Sequence, residues 1–180
     1  MTKLEILLSQ YAAYHLDQKN IFTHFIGIPT IVFSIICLTA RAGINLGGFD
    51  LTLALVIMTL TVIYYLSLDV IFGIAMLVIF AIAYPFAYQI SQMSVGVWLG
   101  LSIGFFVLGW VFQFVGHFYE KKKPAFMDDI IGLAVGPLFV LAEFVFLLGM
   151  RKDIEAKMLE EARKLRAEMD GKSLQTIQAD

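Results

Sequence analysis

Residues 21–40 read IFTHFIGIPTIVFSIICLTA, twenty consecutive positions without an acidic or basic side chain. At about 1.5 Å of rise per residue, a helix of that length matches the roughly 30 Å hydrocarbon layer of a bilayer. The same pattern extends outward from this stretch. Between Ile21 and Tyr119 the only acidic or basic residues are Arg41, Asp50 and Asp69. Three further uncharged runs, 51–66, 70–90 and 94–118, read as spans. They are separated by a Gly-containing loop at 41–50, a tight turn at Ser67-Leu68-Asp69 and a polar break at 91–93. Short links of this kind join antiparallel neighbours. The whole chain is 59% hydrophobic and 16% charged, against about 45–50% and about 25% in an ordinary soluble domain. That composition excludes a typical soluble domain and a disordered chain. A formal net charge of −2 gives no support to nucleic-acid binding, which needs a strongly basic domain.

The segments on either side complete an all-α integral membrane protein. Leu4, Leu7, Leu8, Tyr11 and Tyr14 fall at helical spacing, so the N-terminus reads as an amphipathic helix lying on the membrane surface. Residues 130–150 are long enough to span, but carry Gly136-Pro137 and Glu143. The basic run Lys121, Lys122 and Lys123 and the basic tail from Arg151 should both be cytoplasmic. The segment between them then crosses an even number of times. The expectation is a re-entrant helical hairpin broken near Gly136-Pro137, the alternative being a fifth span. Asp128 and Asp129 would cap it, and Asp69 the turn before the third span. Residues 1–150 form the membrane-embedded domain and 151–180 a charged cytoplasmic helical tail. Its stripe of Ile154, Met158, Ala162, Leu165 and Met169 ends at Gly171, with the last nine residues frayed. Both termini are expected on the cytoplasmic side. The first twenty residues lack a basic start followed by an apolar core, so no cleavable leader is expected. The lone Cys37 excludes an internal disulfide and reads as a small buried hydrophobe.

The chemistry rests on three histidines. Counting four spans puts His15, His24 and His117 near the same membrane face. His15 and His24 are nine residues apart and would lie on opposite faces of one straight helix. They converge only if the chain bends, and residues 17–20 supply the bend, with Asp17 or Asn20 as cap. Asn20 and His24 share a face, as do Gln113, His117 and Glu120. Imidazoles plus a carboxylate with open positions suit non-haem Fe(II), and zinc tolerates similar ligands. Two other readings stand beside a metal site: histidines that satisfy polar groups at the headgroup level of a scaffold or channel subunit, and a haem site. Glu143, ionisable within an apolar run, is a further functional candidate.

Two patches together resemble a known family. The first is Tyr14-His15, Asn20, His24 and Ile26-Gly27-Ile28-Pro29. The second is Gln113, Gly116-His117, Glu120 and Pro124-Ala125. They are similar to the membrane-bound 2-hydroxy fatty acid dioxygenases, whose founding activity lies in metabolism of phytosphingosine to odd-numbered fatty acids. The resemblance runs from about Leu4 to Met150, including Gly136-Pro137-Leu138-Phe139 and Glu143. It implies Fe2+-dependent alpha-oxidation, in which a 2-hydroxy fatty acid and molecular oxygen give a fatty acid one carbon shorter. It makes His15, His24 and His117 the metal ligands. To these we add Glu120 as ligand or base, Glu143 as a weaker candidate, and Asn20 and Gln113 as supporting residues. Membrane lipid surrounds such a chain, a homo-oligomer is compatible with it, and the bacterial inner membrane is favoured over the endoplasmic reticulum.

Overall fold

The computed structural model describes residues 1–125 and 131–179, those from 172 onward by their helical backbone alone. Two compact units emerge: Met1–Ile21 with His117–Asp180, and Phe22–Gly116. In chain order the elements are α1 (Lys3–Ala12), α2 (Gln18–Thr39), β1 (Gly43–Leu46), β2 (Phe49–Thr52), α3 (Leu53–Leu68), α4 (Val70–Ser91), α5 (Val95–Glu120), α6 (Ile131–Leu147) and α7 (Lys152–Ala179).

Within Phe22–Gly116 the helices follow the uncharged runs. Three helices among the described residues are long and apolar enough to cross a membrane: α2, α4 and α5. The expected second span, 51–66, appears as α3, whose 16 residues are short for that task. Large apolar side chains point outward along α3, α4 and α5, among them Leu60, Ile82, Phe86 and Val111. An apolar surface of that extent marks contact with membrane lipid or with another protein. Asp69 forms the expected cap, its Oδ1 accepting from the backbone N–H groups of Ile71 and Phe72. Past that turn α4 returns so closely that a Cβ on Gly73 would lie 2.7 Å from the backbone nitrogen of Leu66.

The loop expected at 41–50 is instead the start of a β-hairpin, with Gly43 opposite Thr52 and Leu46 opposite Phe49. Gly47 and Gly48 both have positive φ, the backbone that a two-residue hairpin turn demands. Arg41 secures this end of the unit, donating to the carbonyls of Ser91 and Met93 and lying over the Trp98 ring.

In the other unit, α1 starts with a capping box. Thr2 and Glu5 exchange side-chain-to-backbone hydrogen bonds at 3.2 and 2.7 Å, which satisfies donors at the helix start. Its apolar stripe is covered by protein rather than laid on a membrane. Leu4, Leu8, Tyr11 and Ala12 are buried, and α1 packs on α6 and α7. From α7 come Ile154, Met158 and Ala162, buried at i, i+4 and i+8. The charged segment read as a solvated tail is therefore packed through its apolar stripe.

The expected break at Gly136-Pro137 is absent. α6 is one helix from Ile131 to Leu147 with Pro137 inside it. Val135, Leu138, Phe139, Val140, Leu141 and Ala142 are all buried, and that packing offsets the hydrogen bond that proline cannot make. The helix ends at Gly149, with positive φ. There the N–H of Met150 donates to the Val145 carbonyl and that of Gly149 to Phe146, a Schellman motif. The caps expected at Asp128 and Asp129 lie outside the described residues. Gly171 does not end α7, which continues to Ala179. A single interior glycine costs only about 1 kcal/mol relative to alanine.

Candidate metal centre

His15 owes its position to the way α1 ends. The N–H groups of Ala13, Tyr14 and His15 donate to Ser9, Tyr11 and Ala12 carbonyls, which turns the chain sharply before α2. The His15 ring stacks on Tyr11 with centroids 4.2 Å apart and planes 5° apart. Its Nδ1 lies 2.7 Å from the Tyr11 carbonyl oxygen. A carbonyl can only accept, so Nδ1 carries the proton and Nε2 the lone pair, the tautomer a metal ligand needs. Burial pushes the Tyr11 phenol well above its ordinary value, so that ring stays neutral.

Asp17 caps α2, its Oδ1 accepting from the Lys19 N–H at 2.7 Å. The bend expected at 17–20 therefore falls at residues 13–17, and Asn20 sits inside the helix. Asn20 and Glu120 are both buried. Glu120 Oε2 accepts from the Asp17 N–H at 2.8 Å and from Asn20 Nδ2 at 3.1 Å. Its Oε1 accepts from Arg166 Nη1 at 2.8 Å. One turn back on α5, the His117 ring meets His15 edge-on with centroids 5.0 Å apart. Phe139 of α6 closes over His15 at 5.7 Å.

α2 is unbroken, so His24 follows one turn beyond Asn20 on the same helix face. His15, His24 and His117 are all buried, and His15 and His117 belong to one unit, where their rings meet. Imidazoles in their neutral form are donors that suit iron, zinc or copper.

The other candidates have different neighbours. The Glu120 oxygens accept from Asp17, Asn20 and Arg166. Gln113 packs against α2 at Gly27, where an added Cβ would lie 2.4 Å from its Nε2. Glu143 is half-buried one turn beyond Phe139 on α6, towards Lys152 and Glu155 at the start of α7. Arg166 lies in the tail, where the sequence offers no candidate site residue. Its side chain is 17% exposed, and it donates to the Ala13 carbonyl at 2.7 Å and the Glu120 carbonyl at 3.3 Å besides the carboxylate. No local motif marks one arginine among the seven basic residues of that segment.

A cavity of about 330 Å³ opens beside this group, within the same unit. Tyr11 and Tyr14 line it from the α1 side, Val135 from α6, and Leu165 and Met169 from α7.

The chain is thus helical apart from one hairpin among the described residues, with three helices long and apolar enough to cross a membrane and a pair of buried, adjoining histidines. Residues 1–148 match the family described as Mpo1-like, 2-hydroxy-palmitic acid dioxygenase Mpo1-like, and the chain belongs to that family. It is 32% identical over 153 residues to the 2-hydroxy-palmitic acid dioxygenase MPO1 of Saccharomyces cerevisiae, covering 84% of each chain. No solved structure matches. α7 lies beyond the family match, which ends at residue 148.

Proposed function

We propose that this chain is an Fe(II)-dependent dioxygenase that converts a 2-hydroxy fatty acid into the fatty acid one carbon shorter. The observation that carries this reading is the edge-on meeting of the buried His15 and His117 rings, with His24 buried one turn past Asn20, in a chain 32% identical to a 2-hydroxy-palmitic acid dioxygenase. The reaction balances with molecular oxygen as oxidant. The C1–C2 bond breaks, C1 leaves as carbon dioxide, C2 becomes the new carboxyl carbon, and water is formed.

His15, His24 and His117 would hold the metal, which supplies open positions for oxygen and for the carboxylate and hydroxyl of the substrate. The protein's own contribution is positional. Tyr11 holds His15 by stacking and through its carbonyl. Glu120 joins the end of α5, which carries His117, to the bend that carries His15. Buried hydrocarbon from Phe139 excludes water on one side of His15. The cavity beside Tyr11 takes part of the acyl chain and leaves the polar end at the histidines. In the membrane, both termini and the histidine end face the cytoplasm, with Lys121, Lys122 and Lys123 attracting the anionic substrate.

Purified protein should carry about one iron per chain and, in air, release the shortened acid from a 2-hydroxy fatty acid. His15→Ala, His24→Ala and His117→Ala should each lose both iron and turnover while still inserting into membranes. Elemental analysis and mass spectrometry of products, with and without oxygen, test this. Full activity of metal-free protein, or oxygen-independent turnover, would overturn it.

A further inference from the structure

We infer that Arg166, supplied by a helix beyond the family match, is a positioning residue that sets the metal affinity of the histidine site through Glu120. This rests on the metal reading above, but its geometry is independent of it. The Glu120 side chain is 1% exposed, a depth at which an ionised carboxylate needs a charge partner. Arg166 provides it with a planar cation that stays charged at any working pH. The same guanidinium donates to the Ala13 carbonyl in the bend and to the Glu120 carbonyl at the end of α5. One side chain thus bonds both segments that carry His15 and His117. Glu120 then relays the restraint, accepting from the Asp17 backbone N–H two residues past His15 and from Asn20 one turn before His24. Removing Arg166 leaves a buried carboxylate without its cation and the bend without its strongest donor, and the ligand nitrogens lose their fixed spacing.

Residues that orient metal ligands without touching the metal typically change affinity by about 10–100-fold when mutated. The expected result is that Arg166→Ala weakens Co2+ binding by that factor in full-length, metal-free protein in detergent, followed by the visible Co2+ absorption. Arg166→Lys, which keeps the charge but loses the fork, should fall between. Lys157→Ala removes a different α7 contact, the ion pair with Glu5 at 3.0 Å, and should leave Co2+ affinity unchanged. Adding Glu120→Gln to Arg166→Ala removes the uncompensated charge and should recover most of the loss. Backbone exchange at residues 13–20 supplies a readout that needs no metal. Protection of the Asp17 amide should fall in Arg166→Ala and persist in Lys157→Ala. Wild-type affinity and protection in Arg166→Ala, or an equal loss in Lys157→Ala, would overturn the inference. If the wild type binds no Co2+, the metal reading fails, and the exchange data still decide whether Arg166 fixes the bend.

Discussion

At the residue scale, the histidines differ in how far their neighbours can be read from the sequence. His117 and Glu120 share a face because three residues separate them on a helix, and that relation is local. The stacking of His15 on Tyr11 is also an i, i+4 relation, but it depends on α1 ending at Ala12 so that the His15 ring folds back over the preceding turn. Glu120 reads as ligand or base because its spacing from His117 fits one. In the fold its oxygens accept from backbone, amide and guanidinium donors. Glu5 permits a pH prediction at this scale. The Thr2 backbone N–H, and then the Lys157 ammonium, hold its carboxyl below the ordinary value of 4.5. A depressed native value means that stability from these bonds is complete above about 4.5 and disappears as pH falls through the native value. Acid titration followed by amide exchange in α1 should therefore show it loosening below that pH. Glu5→Gln should remove this part of the pH dependence.

At the element scale, the helices form where uncharged runs and caps dictate, and close crossings depend on small residues. α2 and α5 approach at Gly27 and Gly109. A Cβ on Gly109 would lie 2.8 Å from the Gly27 carbonyl oxygen and 3.0 Å from the Ile31 nitrogen. Backbone atoms cannot step aside as a flexible side chain does, so Gly109→Ala should destabilise by about 1–3 kcal/mol. Unfolding in SDS, followed by tryptophan fluorescence, measures it. A stability equal to wild type would show that the crossing relaxes freely. Pro137 teaches the converse. Proline and glycine together read as a break between two half-helices, yet α6 continues because neighbours bury it on most sides. Local propensity is a weak signal where tertiary packing is dense.

At the scale of the whole molecule, α7 changes meaning. By composition it is a charged tail, whereas in the fold it covers α1, pairs with Glu120 and walls the cavity beside Tyr11. Leu165→Trp should fill part of that cavity and shift turnover towards shorter 2-hydroxy acids by several-fold, with little change in iron content. Competition between acids of different length, read by mass spectrometry, tests this, and an unchanged preference would place the acyl chain elsewhere. The sequence by itself determined the all-α character with apolar helices long enough to cross a membrane, the rough extent of the uncharged helices, the Asp69 cap and the three histidines as the residues to watch. Each of these depends on composition or on spacing within one helix, where geometry is fixed by a 3.6-residue period. Only the tertiary structure decided that Arg166 partners Glu120, across 46 residues, that α6 is unbroken and that the stripe of α1 is covered by protein. Those outcomes depend on which distant surfaces bury one another, and no local period encodes that choice.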